Sequence, residues 1–492
     1  MLKIDATLKG LEVSNFIGGE WVKGSGKSLD IISPYTGSSC GTVHIANAGD
    51  VKSAVTAAKQ NQKEWAAQSM KSRAAILFKF RDILLRDQDK ISSIVAIENG
   101  KMIPEARAGL MKGVEVLEYA LSLQNSDVGG KMEVSRGVFC EYRRQALGVV
   151  ASITPFNFPA MVPMWTIPIA IAVGNAYIWK PSEKTPITSK YIADAFAEAG
   201  LPAGILTVVQ GEREIVEAII DHKDVKAVAF VGSTKVAELV YKRATGNGKR
   251  ALCLGGAKNH IVLLPDADIE VTGMGISDSF TGCAGQRCMA ASVLLAVGDV
   301  TAHIDKIKER AESQVLGDSM GAIITAAQLE FLNAAIERAV KDGATLLLDG
   351  RNAEAPAEYK NGFWLGPTIL DHVKAGSEAA LTELFGPILA IVRCENITEA
   401  IKIQNSSEYG NAASVFTSSG SMAEYVAANT ECGMFGVNIG VPVPREPFSF
   451  GGVKSSKFGH GDITGDQSLD FWTDVKKVTT KWENQKDHNW MS

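Results

Sequence analysis

Short apolar runs alternate with segments of helical periodicity between residues 145 and 255, and this alternation constrains the fold more than any other feature of the sequence. The helical segments include Thr188–Ala199 and Glu212–Asp221. Strands joined by single helices form right-handed crossovers and a parallel sheet. We therefore predict a doubly wound α/β domain whose ligands bind at the carboxyl ends of its strands. The strand-like runs are Gly148–Ile153, Ala176–Trp179, Leu206–Val209 and Ala227–Val231.

A second alternating series predicts a second α/β domain. Strand-like runs occur at Lys258–Leu264 and Ser292–Val297, and a helical pattern follows at Glu330–Asp342. Domains average roughly 150 residues, so the chain is long enough for about three units. We expect the first domain to comprise residues 1–122 and 145–252, and the second to comprise residues 253–450.

Two further segments fit neither domain and are expected to form strands. Residues 123–144 contain a run with period two that is rich in Val, Phe and Tyr, and residues 468–487 contain a second candidate strand. Exposed strand edges in proteins are usually paired or covered. We therefore expect a small β element through which subunits pair, giving a homodimer or a homotetramer.

The stretch Gln145–Trp179 contains no charged residue and is long enough to cross a membrane. Four prolines interrupt it, however, and a proline removes a backbone donor and breaks a continuous helix. A lipid-exposed helix would leave those backbone groups without partners. The sequence therefore predicts a buried strand, a loop and a short buried helix here, and no membrane association. The prolines are Pro155, Pro159, Pro163 and Pro168.

Charge and cysteine content narrow the class of protein. Lys and Arg number 50 against 55 for Asp and Glu, a net charge of −5, so no basic excess marks a nucleic-acid partner. The seven cysteines include no Cys-x-x-Cys pair, which is typical of free thiols in a reducing compartment. The first residues lack the apolar core of a signal peptide, so we expect a cytoplasmic enzyme. No histidine or cysteine cluster has metal-ligand spacing, and we expect no metal site.

One cysteine stands in a setting that favours catalysis. Cys288 is surrounded by small residues, is preceded by Arg287, and comes shortly before a predicted strand. Small neighbours allow a substrate to approach the sulfur, and a nearby cation favours the reactive thiolate. Local chemistry alone leaves a structural cysteine as the alternative, with Cys283 as the nearest rival for the catalytic role.

Polar residues follow two of the predicted strands at the edge where ligands should bind. Asn157 stands between aromatic residues and prolines, where its amide could stabilise an oxyanion or simply form a turn. Lys180 and Glu183 follow the next strand and could contact a ribose or a phosphate, or form an exposed loop pair. No G-x-G-x-x-G motif occurs, so a dinucleotide would bind without the usual fingerprint.

Five motifs occur in the order and at the spacing of the aldehyde dehydrogenase superfamily. Together they make the sequence resemble that superfamily across nearly the whole chain. Five ordered motifs make the resemblance highly specific. They are Thr154-Pro155-Phe156-Asn157-Phe158-Pro159, Lys180-Pro181-Ser182-Glu183, Phe230-Val231-Gly232-Ser233, Gly285-Gln286-Arg287-Cys288 and Glu383-Leu384-Phe385-Gly386-Pro387.

This resemblance implies a fold and a set of roles. It implies a Rossmann-like NAD-binding domain, formed by the first α/β unit, and a catalytic domain, formed by the second. Cys288 would be the nucleophile, and Asn157 with the backbone N–H of Cys288 would form the oxyanion hole. The implied cofactor-binding residues are Thr154, Phe156, Lys180, Glu183, Gly232, Ser233, Glu383 and Phe385. Among these, Glu183 suits a free ribose 2′-hydroxyl and would repel a 2′-phosphate, which favours NAD over NADP.

One departure from the family pattern bears on how the product is released. Hydrolytic members carry a Glu-Leu-Gly-Gly-Lys stretch whose glutamate activates water, and the matching residues here begin with Leu254. A leucine cannot accept a proton from water. A different nucleophile is therefore expected to release the acyl group.

The motifs around Lys258 and Cys288 resemble the methylmalonate-semialdehyde dehydrogenase branch, which is CoA-acylating. That resemblance implies oxidation of methylmalonate or malonate semialdehyde with NAD and coenzyme A, giving acyl-CoA, carbon dioxide and NADH. Arg287 would bind the substrate carboxylate. A second arginine of the branch falls at Lys112 here, which keeps the charge but loses the bidentate fork.

Two other functions remain open on the sequence. A hydrolytic aldehyde dehydrogenase of another substrate would need a second carboxylate in place of the missing base. A catalytically idle homologue would serve as a structural or binding protein, although the presence of Cys288, Asn157 and Glu383 argues against that.

Overall fold

The computed structural model of the chain describes residues 10–126 and 129–482. The strands, numbered in chain order, are β1 (Leu11–Val13), β2 (Asn15–Ile17), β3 (Glu20–Val22), β4 (Ser28–Ser33), β5 (Ser38–His44), β6 (Gly130–Ser135), β7 (Val138–Ala146), β8 (Val149–Ile153), β9 (Ala176–Lys180), β10 (Leu206–Val208), β11 (Val225–Val231), β12 (Arg250–Leu254), β13 (Asn259–Leu263), β14 (Ala291–Val297), β15 (Thr345–Leu348), β16 (Thr368–Asp371), β17 (Ile388–Cys394), β18 (Tyr409–Gly410), β19 (Ala412–Phe416), β20 (Met434–Val437), β21 (Val453–Lys454), β22 (Lys457–Phe458) and β23 (Thr473–Lys481).

The helices are numbered in the same way. They are α1 (Ala48–Ala67), α2 (Met70–Arg86), α3 (Gln88–Asn99), α4 (Ile103–Ser126), α5 (Met161–Met164), α6 (Ile167–Ala172), α7 (Pro186–Glu198), α8 (Arg213–Asp221), α9 (Thr234–Gly246), α10 (Ile269–Thr281), α11 (Thr301–Glu312), α12 (Ala326–Lys341), α13 (Glu378–Leu381), α14 (Ile397–Ser406), α15 (Gly420–Asn429) and α16 (Gly465–Trp472).

The first large sheet has the order β22-β12-β11-β8-β9-β10-β2-β3. Its strands from β12 to β10 are parallel, while β22, β2 and β3 add to its edges in antiparallel fashion. Helices α7 and α8 connect its parallel strands, so the predicted doubly wound α/β fold is confirmed. The connections run in opposite directions from the neighbouring strands β8 and β11, and in such sheets ligands bind at the carboxyl ends of the strands at this switch point.

The second large sheet has the order β15-β16-β17-β14-β13-β19-β20. It is parallel from β16 to β20, and β15 joins it in antiparallel fashion. Its central strands are buried on both faces, which explains their continuous apolar sequences. The second α/β unit that the sequence predicts is therefore present.

A smaller antiparallel sheet has the order β23-β7-β6. The sequence predicts strands throughout residues 468–487, but residues 468–472 belong to helix α16. Leu469 and Trp472 lie three positions apart and are both buried, so helical spacing directs both side chains into the core. Residues 483–487 of this prediction lie outside the described residues.

The uncharged stretch forms β8, a loop, the short helices α5 and α6, and then β9. Pro168 stands in the first turn of α6, where a proline is tolerated because its missing N–H is not needed. Residues of both helices are buried in the core of the first sheet. Among residues 10–126 and 129–482, helices long and apolar enough to cross a membrane are absent.

Candidate active site

Cys288 follows a turn with unusual backbone geometry. Helix α10 ends at Thr281, and the next turn places Cys283, Ala284 and Gly285 in the left-handed region, with φ values of 53°, 52° and 66°. Two of these are not glycine, so the surrounding contacts must stabilise a conformation that costs energy locally. At Gly285 a Cβ atom would lie 2.1 Å from the carbonyl oxygen of Gly386, so no larger residue fits.

The backbone of Cys288 is fixed by two amide side chains from the second sheet. Its carbonyl oxygen accepts hydrogen bonds from Asn259 Nδ2 at 2.8 Å and from Asn411 Nδ2 at 2.9 Å. Burial, together with the nearby carboxyl of Glu383, raises the pKa of the Cys288 thiol to about 12. The side chain of Cys288 is therefore held as a thiol, on a backbone fixed by these two hydrogen bonds.

Asn157 follows β8 and lies directly beside this turn. Its side-chain Nδ2 donates a hydrogen bond to the backbone carbonyl oxygen of Gln286 at 3.1 Å. Its backbone carbonyl oxygen accepts a hydrogen bond from Lys101 Nζ at 2.6 Å. The structure therefore brings the amide of Asn157 to the loop of Cys288, as an oxyanion-hole pair requires.

Three residues that the sequence analysis missed stabilise this arrangement. Lys101 is buried and lies over the ring of Phe158, with Nζ 3.6 Å from the ring centre. The carboxylate of Glu105 accepts the backbone N–H of Cys283. Gln286 Oε1 accepts the N–H of Ile324 at 2.9 Å. Their partners are distant in sequence, so no local pattern predicts these contacts.

Two cavities meet at Cys288. The first has a volume of about 300 Å³ and the second a volume of about 200 Å³. Cys288, Phe158 and Trp165 line both of them. Cys288 is therefore accessible from both cavities.

The second cavity combines the expected cofactor residues of several motifs. Phe156, Gly232, Ser233, Glu383 and Phe385 all line it, together with Asn157. Helix α9 begins just after Ser233, whose side chain makes no capping bond, so the helix N-terminus keeps free N–H groups for an anion. This arrangement fits the pyrophosphate and nicotinamide end of a dinucleotide.

Glu383 lies at the centre of this cavity. Its Oε1 accepts the N–H of Ala257 at 2.9 Å, and a Cβ atom at Gly256 would lie 2.2 Å from its other oxygen. Burial raises the pKa of Glu383 to about 7, although the Ala257 N–H and the Lys258 ammonium favour the ionised form. This carboxyl can therefore change its protonation state near neutral pH.

Lys180 and Glu183 lie at the carboxyl end of β9, with Lys180 Nζ 3.3 Å from Glu183 Oε2. Burial lowers the pKa of Lys180. Burial opposes ionisation of Glu183 as well, but the Lys180 and Lys184 ammonium groups and a backbone hydrogen bond together outweigh it and lower the pKa of that carboxyl. The pair offers one donor and one acceptor, which fits the two hydroxyls of a ribose.

Thr154 differs from the other expected cofactor residues. It is buried, and its hydroxyl accepts a hydrogen bond from Trp179 Nε1 at 2.8 Å. It is not part of the lining of the second cavity. Its contacts position the loop after β8.

The first cavity contains the two expected substrate residues, Arg287 and Lys112, together with Glu105. Arg287 Nη2 donates to the carbonyl oxygen of Ser279 at 3.0 Å and also contacts that of Asp278, whereas its buried Nε has no partner among the described residues. An arginine with an unused buried donor in a largely apolar cavity fits a carboxylate ligand.

The comparisons with known proteins agree with one another. The model of the aldehyde dehydrogenase family matches residues 21–478. Malonate-semialdehyde dehydrogenase 2 of Geobacillus thermodenitrificans is 40% identical over 478 residues, which cover 95% of this chain and 99% of that protein. Malonate-semialdehyde dehydrogenase of Halalkalibacterium halodurans is 38% identical over 482 residues, covering 96% of this chain and 99% of that protein.

Solved structures are similar over the same extent. The structure of a methylmalonate-semialdehyde dehydrogenase from Sinorhizobium meliloti, described as putative and complexed with NAD, superposes with a TM-score of 0.95 at 40% identity, covering 97% of this chain and 99% of that one. Methylmalonate-semialdehyde dehydrogenase (DddC) from Oceanimonas doudoroffii gives a TM-score of 0.94 at 37% identity, covering 96% of this chain and 98% of that one.

Proposed function

Because the chain belongs to the aldehyde dehydrogenase family, we propose that it oxidises malonate or methylmalonate semialdehyde with NAD and coenzyme A, forming acyl-CoA, carbon dioxide and NADH. The observation that carries the proposal is the position of Cys288 between two cavities. One contains Arg287, and the other contains Glu383 and the N-terminus of α9.

The reaction begins with the Cys288 sulfur. After losing its proton, it attacks the aldehyde carbon, and the carbonyl oxygen takes up the electron pair. Asn157 Nδ2 and the backbone N–H of Cys288 stabilise the resulting oxyanion. Asn157 Nδ2 already points at the loop of Cys288, where it contacts the carbonyl oxygen of Gln286, so little reorganisation is needed.

The cofactor residues would hold NAD with its reactive ring beside Cys288. Lys180 and Glu183 would bind the adenosine ribose, Gly232 and Ser233 would contact the pyrophosphate, and Glu383 would bind the nicotinamide ribose. When bound, NAD accepts the hydride that leaves the carbon attached to sulfur. Phe156, Phe385 and Thr154 shape and support this cavity, in which Phe156 and Phe385 lie edge to face at 6.0 Å.

Release of the acyl group follows from the residue at position 254. Leu254 ends β12, is buried, and cannot activate water. The thiol of coenzyme A therefore attacks the thioester carbon, and the Cys288 sulfur leaves as thiolate. The bond between the carboxylate, held by Arg287 in the first cavity, and the neighbouring carbon breaks, so that carbon dioxide departs and the resulting enolate takes up a proton from water. Lys112, the other cation of that cavity, keeps its ammonium in contact with Glu446.

One observation favours a second candidate, a hydrolytic aldehyde dehydrogenase. Glu383 shares a cavity with Cys288 and has a pKa of about 7, so it could replace the missing base. Its hydrogen bond to Ala257 and its expected contact with the ribose compete with that role.

The test is NADH formation from malonate semialdehyde and NAD, with and without coenzyme A, with the product identified by mass. CoA-dependent turnover that gives acetyl-CoA supports the proposal. CoA-independent turnover that gives a free acid supports the hydrolytic candidate. If the protein forms no NADH from malonate semialdehyde or from a panel of other aldehydes, it is the idle homologue.

The same proposal includes the organisation of the chain. Residues 1–122 and 145–252 would form the NAD-binding domain, and residues 253–450 the catalytic domain. Residues 123–144 and 468–487 would pair subunits into a homodimer or a homotetramer, which is supported by the exposed Met132 and Val134 on strand β6. The free cysteines favour a location in the cytoplasm.

A further inference from the structure

The cavity that would receive the substrate is lined by two cations, and their surroundings differ. Arg287 and Lys112 both line it together with Glu105, whose carboxylate accepts the backbone N–H of Cys283, and the other lining residues are cysteines, glycine or apolar residues. Among the described residues, no carboxylate lies within ion-pair distance of Arg287, whereas two carboxylates contact Lys112. The two cations therefore cannot contribute equally to binding an anionic substrate.

The ammonium of Lys112 has no hydrogen left to donate. Its Nζ lies 3.1 Å from Glu446 Oε2, 3.1 Å from Glu115 Oε2 and 3.2 Å from the carbonyl oxygen of Pro444. An ammonium has three N–H donors, so these three acceptors use all of them. A substrate carboxylate would have to displace one of these partners before it could contact Lys112.

Glu446 is more deeply buried than Glu115. The side chain of Glu446 is 5% exposed, and that of Glu115 is 38% exposed. A buried charge interacts strongly with its neighbours, whereas solvent and salt screen an exposed one. Glu446 is therefore the carboxylate that determines the electrostatic potential around Lys112.

Arg287 retains the donors that Lys112 lacks. Its buried Nε has no partner among the described residues, and its Nη2 contacts only backbone carbonyl oxygens. Carbonyl groups carry no net charge, so the guanidinium remains a full positive charge beside Cys288. An anionic ligand in this cavity is therefore attracted mainly to Arg287.

We infer that Glu446 is a specificity-determining residue, which neutralises Lys112 and leaves Arg287 as the cation that binds the substrate carboxylate. The inference rests on the proposed function, because it concerns the carboxylate of a semialdehyde. It assigns Lys112 to an ion pair in the cavity wall and not to the substrate.

The experiment compares two aldehydes with the same three-carbon chain, malonate semialdehyde and propanal, in which a methyl group replaces the carboxylate. The quantity measured is the kcat/KM for NADH formation with malonate semialdehyde divided by that with propanal, at saturating NAD and coenzyme A. Propanal turnover and thermal unfolding report whether each variant is folded.

Single substitutions should move this ratio in opposite directions. Glu446→Gln removes the negative charge and leaves Lys112 positive, so the ratio should rise about tenfold. Lys112→Met leaves the buried carboxylate of Glu446 uncompensated, so the ratio should fall about tenfold. The matched control is Glu115→Gln, which removes the exposed partner of the same ammonium and should change the ratio by less than about twofold.

The double variant Lys112→Met/Glu446→Gln is decisive, because it leaves no unpaired buried charge to disturb folding, and the carboxylate of Glu115, which also loses Lys112, is exposed to solvent. A ratio within about threefold of the wild-type value supports the inference, since a neutral pair has been replaced by neutral side chains. A ratio as low as that of Lys112→Met alone overturns it, because Lys112 would then bind the substrate directly. Wild-type protein that forms no NADH from malonate semialdehyde overturns the proposed function itself.

Discussion

At the scale of single residues, the site depends on protonation states that burial has changed. The thiol of Cys288 is harder to ionise than an ordinary thiol, and Glu383 is harder to ionise than an ordinary carboxyl. Both groups line the second cavity, and each charge would disfavour the other. Binding and chemistry in this cavity should therefore depend on pH.

Glu383 is expected to make NAD binding depend on pH. Its folded-state pKa is raised to about 7, so the carboxyl is protonated below that pH and ionised above it. The ionised form accepts hydrogen bonds from ribose hydroxyls more strongly. The KM for NAD should therefore fall as the pH rises from about 6 to about 8, the interval around the raised value. Glu383→Gln should give a higher KM that no longer changes over this range, and a pH dependence that persists in this variant would contradict the assignment.

Cys288→Ala is expected to lower kcat by at least about a thousandfold, because no other described group supplies the covalent step. The measurement is NADH formation, with mass spectrometry of the acylated protein as a second readout. Cys140→Ser, in the central strand β7 of the small sheet, serves as the control and should retain full activity. Acyl transfer that continues in the alanine variant would refute the mechanism.

Asn157→Ala is expected to lower kcat by about a hundredfold or more, the usual effect of removing one oxyanion donor. The KM for the aldehyde should change little, because the interaction strengthens in the transition state. Steady-state kinetics with the full substrate set distinguish the two parameters. An increase in KM with unchanged kcat would instead assign Asn157 to substrate binding.

At the scale of elements, the left-handed turn before Cys288 is the feature that most directly positions the nucleophile. The sequence indicated the strands on either side of the site, because their apolar runs are long and bounded by turns. It did not indicate Lys101, Glu105, Gln286 or Glu446, because their roles depend on contacts between residues far apart in the chain. It also missed that residues 468–472 are helical, since a short apolar segment fits both periodicities.

Gly285→Ala is expected to disrupt this turn and to lower kcat by at least about tenfold, because geometric errors of about an ångström are costly in catalysis. The new Cβ would lie 2.1 Å from the carbonyl oxygen of Gly386. Gly200→Ala is a matched control, since Gly200 also has a positive φ of 88° but has open space around it. Equal losses of activity in both variants would show that backbone strain alone, and not the contact with Gly386, matters.

At the scale of the whole molecule, residues that follow strands β8 and β11 of the first large sheet and residues that precede strands β14 and β17 of the second line one cavity at Cys288. In the small sheet, β6 is an edge strand. Met132 is 68% exposed and Val134 is 51% exposed on this strand. An exposed apolar edge of this kind is a site for pairing with another chain. We therefore expect Met132→Lys/Val134→Lys to shift the protein to a smaller assembly, as measured by light scattering.

The control for this prediction is Val22→Lys, which changes a similarly exposed residue on a different edge strand. It should leave the assembly unchanged. Equal masses for the double variant and the wild-type protein would exclude β6 as the pairing edge.

The side-chain amides of Asn259 and Asn411 hold the carbonyl oxygen of Cys288 in place, and this affects how NAD and coenzyme A would in turn reach the sulfur. With the backbone immobilised, the remaining freedom of the residue is rotation about its Cα–Cβ bond. One such rotation can move an acyl group attached to the sulfur from one of the two cavities to the other. NAD, which would accept the hydride, and coenzyme A, which would accept the acyl group, can then react one after the other without any movement of the backbone.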